Sequence, residues 1–419
     1  MSFKQIFLAA GILAAVGLAG VLDTNDVKLS TTLGLGGNPA AIAVNKERKV
    51  ELGTIALNKT SQSNQIKNTG APLNTSLGIS LFDGKDVNSS SFNDASKFLA
   101  YTGSYADNWF SLRYKYESNL YPNFKSSVEF TGPGAPFLQP YDPDRKARVS
   151  LYQKDAVETL SLLWARELSA GLTAGVELAT NIYTLNTDIS FNKAAKDIPP
   201  IWAIFEGIEK KAYLQSGSYY TLTLGGIYAL ADNQKISLAQ KFSQDRAVQK
   251  HDGKYGSAQS SYLESLPNET GLSYIYSVND SLEVAGVFKT FWGLIYDQNI
   301  QSSSAPETTE TVRLFPYNSY GFAASYALNS ELELQGYGNY IKGYKSGVNN
   351  SVHPLTGAKE DSSGYDVSQF GGNVQYSPAL LRGGTILLGS YVTKLVSMDP
   401  AIGQTFDLTN TSLSYSHAF

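Results

Sequence analysis

The chain has 419 residues, no cysteine and a formal net charge of −4 from 33 basic and 37 acidic side chains. Without cysteine there can be no disulfide framework, thiolate metal site or cysteine-borne lipid anchor, and the slightly acidic balance argues against a nucleic-acid partner. The 27 Tyr, 19 Phe and 37 Gly are an unusual mixture for a soluble enzyme, but aromatic girdles and alternating lipid-facing positions would produce it in a membrane β-barrel.

At the N-terminus Lys4 precedes an uncharged stretch over residues 5–22, rich in Ala, Gly, Leu and Ile, with small residues at Gly17 and Ala19. This pattern predicts a secretory signal over residues 1–19, cut after Ala19. The alternative is a retained anchor, but its length is borderline for spanning and its Ala and Gly make it weakly apolar. No later run is long and apolar enough for a spanning helix. Residues 20–48 then form a short segment ahead of the first strand.

From there, period-2 alternation recurs in segments long enough to cross a bilayer at a tilt. It predicts strands at 49–58, 98–105, 109–118, 147–167, 171–185, 216–230, 234–244, 269–278, 281–293, 315–327, 331–343, 366–377, 384–396 and 405–419. In 331–340, Leu332, Leu334, Gly336, Gly338 and Tyr340 alternate with Glu331, Glu333, Gln335, Tyr337 and Asn339. Short turns near 106–108, 168–170, 231–233, 279–280, 328–330 and 379–383 carry Asn, Asp, Ser and Gly, the residues that close tight turns. The loops between them, at 59–97, 119–146, 186–215, 245–268, 294–314, 344–365 and 397–404, are nearly all long. Short periplasmic turns alternating with long extracellular loops, on an even strand number, are the rule for bacterial outer-membrane barrels. The fold class is therefore all-β, a transmembrane antiparallel β-barrel over 49–419. A further strand at 73–82 would leave the count at 14 to 16.

The last strand places Leu413, Tyr415, His417 and Phe419 on one face and Ser412, Ser414, Ser416 and Ala418 on the other. A terminal aromatic on an alternating strand resembles the signal by which the barrel-assembly machinery recognises its clients. His417 stands where an apolar residue is usual.

Three stretches carry a narrower resemblance. Leu266-Pro267-Asn268-Glu269-Thr270-Gly271, continuing through Asp280 to Phe291-Trp292, is similar to a hairpin of the FadL family of outer-membrane transporters for long-chain fatty acids and hydrocarbons. So is 219–253, with Asp232-Asn233 in its turn and Lys250-His251-Asp252-Gly253 at its end. Asn38-Pro39-Ala40, one strand before the barrel, resembles the Asn-Pro-Ala element of that family's plug, or hatch.

The resemblance implies a lumen obstructed by the plug, with Asn38, Pro39 and Ala40 in gating positions. It also implies a sideways exit where the third strand, here 109–118, is kinked, and a monomer in the lipids of the outer membrane. The segment before Asn38 is shorter than the family's helical hatch, so the plug is expected to be short. In the loop after the fifth strand, Ile201, Ile204, Phe205 and Ile208 fall at helical spacing beside Trp202. They match the family's hydrophobic surface groove, or else bury Trp202 and Phe205 against the barrel rim. Arg148 aligns with a segment that carries a pocket arginine able to receive a fatty carboxylate, or is an interfacial arginine beside Arg145 and Lys146.

Chemistry of other kinds is thin. His251, His353 and His417 show no ligand spacing, and Gly34, Gly36 and Gly37 lack the Lys-Ser/Thr of a phosphate loop. Asp142 and Asp144 flank a turn proline, and no Gly-x-Ser-x-Gly element occurs. The reading is a non-enzymatic transporter with no cofactor and no metal, taking hydrophobic small molecules such as long-chain fatty acids or hydrocarbons. The alternative is a water-filled porin for small polar solutes.

Overall fold

The computed structural model describes residues 37–66, 87–88, 95–117, 124–130, 147–193, 210–252, 258–302, 307–314, 316–344, 348–349, 365–397 and 402–419. Fourteen antiparallel strands close into a barrel. They are β1 (Lys49–Ile66), β2 (Ala95–Tyr105), β3 (Asn108–Glu117), β4 (Ala147–Ser169), β5 (Leu172–Lys193), β6 (Lys210–Ala231), β7 (Gln234–Ser243), β8 (Glu269–Asn279), β9 (Leu282–Phe291), β10 (Tyr317–Ala327), β11 (Leu332–Tyr344), β12 (Tyr365–Tyr376), β13 (Gly384–Ser397) and β14 (Ile402–Ala418). Each pairs with its sequence neighbours, and β14 pairs with β1 from Lys49↔Ala418 to Ile66↔Ile402. Closure leaves the barrel no sheet edge, and a closed barrel is the only sheet whose backbone groups are all satisfied in lipid.

The tight turns are built as their residues demand. Asn329 Oδ1 accepts from the Glu331 and Leu332 N–H groups, both at 2.9 Å, and Asn279 does the same for Ser281 and Leu282. Between β2 and β3, Ala106 and Asp107 both take positive φ, 47° and 62°, the two-residue turn whose twist matches the strands it joins. At the C-terminus the Phe419 N–H donates to the Arg48 carbonyl at 3.0 Å, and the Phe419 ring stacks on Tyr101.

Register fixes the faces. Leu99, Phe110, Leu112, Leu162, Leu178, Leu224, Phe322, Phe370 and Leu413 are exposed and point outward, forming an apolar belt that only lipid can solvate. Their neighbours Thr102, Ser111, Ser161, Asn181, Thr223, Ser237 and Gln369 are buried and face the lumen. No helix among the described residues is long and apolar enough to cross a membrane; the barrel crosses with its strands.

Two expectations need correction. β4, β5 and β6 run past the expected ends, with β5 reaching Lys193 and β6 starting at Lys210. Extra strands at Arg246–Asp252, Ala258–Glu264, Leu294–Ser302 and Thr308–Leu314 lie where loops were expected. Strands that rise above the hydrocarbon need no apolar face, so they leave no alternation to read. Over its described residues the third strand also shows no gap: β3 pairs with β2 from Lys97↔Tyr116 to Tyr105↔Asn108 and with β4 from Asn108↔Arg166 to Glu117↔Val157, without a register shift. Segment 73–82 lies outside the described residues, and the barrel closes with fourteen strands.

Candidate functional site

The lumen is crossed near its periplasmic end by Asn38-Pro39-Ala40 and the short helix α1 (Ala41–Asn45). The helix has two apolar faces. Ala40, Ala41 and Val44 pack against Ile227, Ile275, Ala285, Ala323 and Tyr337, while Ile42 and Ala43 pack against Leu163, Ala165 and Trp109. The first set belongs to the wall from β6 to β11 and the second to β3 and β4, so the helix bridges two walls. Small residues at 40, 41 and 43 allow this close approach.

Asn38 locks the plug to the wall. Its Nδ2 donates to Gly226 O (3.1 Å), Ser237 Oγ (2.8 Å) and Leu238 O (3.0 Å), and its Oδ1 accepts the Ala40 N–H at 3.0 Å. Both ends of the carboxamide are used, which an aspartate or an alanine could not reproduce.

The wall is shaped to receive it. Gly175 and Gly225 lie directly opposite each other on β5 and β6. A Cβ at Gly175 would sit 2.5 Å from the Ala40 nitrogen, and one at Gly225 would sit 2.0 Å from Asn38 Oδ1. Two facing glycines thus make the seat for Asn38-Pro39-Ala40. The plug leaves along the periplasmic rim, where Lys46 takes φ 51° and pairs with Glu167 at 3.1 Å. Arg48 donates to Ser104 at 3.0 Å, and the nearly buried Lys49 pairs with Glu51 at 2.9 Å.

Beyond Asn38 and Pro39 a cavity of about 210 Å³ opens. Phe98 lies over Gly53, where any Cβ would meet its ring at 2.2 Å, and gives the cavity an aromatic wall. The cations Arg113, Lys115, Lys241 and Lys289 line it together with Glu51, Glu177 and Glu269. Lys241 pairs with Glu269 at 3.0 Å. The Arg113 Nε donates to Ser111 at 3.4 Å, and Ser111 in turn accepts from Thr102 at 3.0 Å.

Higher up, Arg246 pairs with Glu264 at 2.5 Å and stacks over Tyr183 at 3.8 Å. In the hairpin there, burial first and the Glu264 carboxylate second push the Tyr262 phenol up to about 12, with Arg246 opposing them. Tyr262 therefore stays a neutral O–H group at physiological pH.

Of the expected site residues, Asn38, Pro39 and Ala40 come together in the seat. Ile201, Trp202, Ile204, Phe205 and Ile208 lie outside the described residues. The backbone of Arg148 pairs with Glu129 and Asn192 in the long ladder of β4. Among the described residues the cations at the cavity are Arg113, Lys115, Lys241 and Lys289. Arg113 and Lys115 were readable from the alternation of Ser111, Arg113 and Lys115 with Phe110, Leu112 and Tyr114. The glycine seat has no such signal, since Gly175 and Gly225 are two among 37 glycines.

No protein-family model matches the chain, and no curated protein is similar to it in sequence. Solved structures do match. The toluene transporter TbuX of Ralstonia pickettii is 13% identical with a TM-score of 0.55, over 91% of this chain and 92% of that one. The toluene transporter TodX of Pseudomonas putida is 14% identical with a TM-score of 0.54, over 92% and 93%. A FadL homologue of Pseudomonas aeruginosa is 11% identical with a TM-score of 0.54, over 97% and 98%. The chain therefore has the fold of the FadL homologue and the toluene transporters, and the resemblance carried by its hairpins and its Asn-Pro-Ala element holds at the level of the fold.

Proposed function

We propose that the chain is an outer-membrane channel through which hydrophobic small molecules pass by facilitated diffusion, and that its cargo is of the long-chain fatty acid type. The observation that carries this reading is the plug. A fourteen-stranded barrel encloses more space than side chains fill, and a porin leaves that space to water. Here α1 bridges two walls and Asn38, just before it, is bonded to β6 and β7, an arrangement suited to denying water a straight path. The relatives in fold include transporters of toluene, which supports a hydrophobic cargo.

The cavity supports the finer choice. An alkyl tail gains roughly 0.8 kcal/mol per methylene on leaving water, and a carboxylate head needs a cation where the dielectric is low. Arg113, Lys115, Lys241 and Lys289 around Phe98 supply that combination. Neutralising the pair Arg113→Gln and Lys289→Gln is expected to weaken uptake of labelled oleate more than uptake of labelled hexadecane. Equal loss of both would argue that these cations only shape the barrel.

The remaining parts follow the same reading. Ile201, Trp202, Ile204, Phe205 and Ile208 would receive the alkyl chain at the cell surface, with Arg148 as a partner for its carboxylate. Asn38, Pro39 and Ala40 would gate the lumen, and Phe419 would present the barrel to its assembly machinery as a monomer. The rival porin reading separates cleanly in planar bilayers. The native protein is expected to show no large, steady ion channel, and such a channel would overturn the proposal.

A further inference from the structure

The motif Leu266-Pro267-Asn268-Glu269 marks a break in the wall. Lys241 pairs with Glu269 in the β7–β8 ladder, and Arg246 pairs with Glu264 in the ladder above it. The two rungs share one register, yet the four positions between them, 242–245 against 265–268, form no ladder rung. Pro267 has no N–H to give. In place of backbone, the Asn268 side chain accepts the Ser243 N–H at 3.1 Å.

The other edge of the same segment is also parted. The β8–β9 ladder ends at Glu269↔Phe291, and pairing resumes only at Ser261↔Gln301. Between these points the Trp292 N–H donates to the Asn268 carbonyl at 2.9 Å.

The two faces of the break differ in chemistry. Outside, Phe242, Leu263, Trp292 and Ile295 are exposed, Leu263 and Trp292 by 58% and 55%. Inside, the break is bordered by the ion pairs Lys241–Glu269 and Arg246–Glu264. Arg246 stands five positions beyond Lys241, which on a regular strand would put them on opposite faces. A one-residue slip corrects this: β6 pairs Thr221 with Ser243 but Ser218 with Ala247. Such bulges are a common means of re-aiming a side chain beside a functional site.

The height also fits. From its periplasmic turn, the eleven residues of β8 climb about 28 Å at the usual rise and tilt, roughly the height of a barrel's apolar band. Backbone that leaves its ladder at that level meets interfacial water rather than hydrocarbon, where an unsatisfied group would be costly. Directly inside, Lys241 and Glu269 line the cavity.

We infer that this break is a side entrance at the outer interface, through which alkyl-bearing cargo passes from the exposed apolar rim around Trp292 into the cavity, with the two ion pairs as its lumen-side latch. This rests on the transport reading above. It places the wall's opening between β7 and β8, away from the unbroken third strand.

The chain has no native cysteine, so the test is direct. Ser243→Cys with Pro267→Cys, opposite each other by register, would be oxidised in cells and labelled oleate uptake measured. Uptake is expected to fall to that of a strain lacking the gene and to recover with reductant. A control pair across an intact ladder on the outer face, Tyr326→Cys with Leu334→Cys, should change nothing. In a second variant, Glu264→Gln with Glu269→Gln opens the latch and should raise uptake above native. Native uptake that is indifferent to both the cross-link and the latch variant would overturn the entrance alone. Native protein that takes up no oleate would overturn the transport reading with it.

Discussion

Gly175→Ala is expected to turn a closed barrel into an ion-conducting one. The new methyl group would stand 2.5 Å from the Ala40 nitrogen and 2.6 Å from the Pro39 carbonyl carbon. These are backbone atoms, which cannot swing aside as a side chain can, so the plug itself must move. Overpacking of this kind costs about 1–3 kcal/mol. A displaced plug also loses the seat of Asn38, leaving buried polar groups unsatisfied at about 1–3 kcal/mol each. The five-residue helix then keeps only its apolar packing against the two walls and the exposed Lys46–Glu167 pair. Gly225→Ala should act in the same direction, because its Cβ would overlap Asn38 Oδ1, although the carboxamide can yield by rotating away from its partners. Single-channel recordings in planar bilayers would show steady openings in both variants and none in the native protein. A quiet Gly175→Ala would mean that the strands give way instead of the plug.

Leu162→Arg is expected to abolish assembly in the membrane. Leu112, Leu162 and Leu178 lie side by side across β3, β4 and β5, exposed by 52%, 54% and 59% on the outer face. An arginine at mid-height on the lipid face of a barrel costs about 2–4 kcal/mol, and this one would also break an apolar row. One residue away, Ser161 faces the lumen, so Ser161→Asn should assemble normally. Heat-modifiable migration of the outer-membrane fraction distinguishes folded from unfolded barrels. If Leu162→Arg folds as well as Ser161→Asn, the face assignment is wrong.

Those faces were legible in the sequence because a lipid-facing belt imposes strict period-2 alternation. All fourteen barrel strands stand where alternation placed them, and turns such as Leu328-Asn329-Ser330 carried their own chemistry. Legibility ended where lipid ended. Arg246–Asp252 pairs as strand yet reads as a polar loop, because neither of its faces meets hydrocarbon. The plug seat was half legible: Asn38-Pro39-Ala40 stood out by resemblance. Gly175, Gly225 and Ser237 are remote in sequence and acquire meaning only when β5, β6 and β7 lie side by side. Arg148 was named by resemblance alone, and the alternation of β3 points Arg113 and Lys115 into the lumen. The third-strand kink came from resemblance alone, and the ladders of β3 run unbroken over its described residues. The Leu-Pro-Asn-Glu motif, first notable only as a family likeness, turned out to mark the break in the wall.

A plugged barrel that carries hydrophobic cargo should speed the uptake of labelled oleate, measured in cells with and without the gene, with the protein's presence in the outer membrane confirmed. Faster uptake in the cells that carry it is the predicted result. Equal uptake in the two would contradict the account.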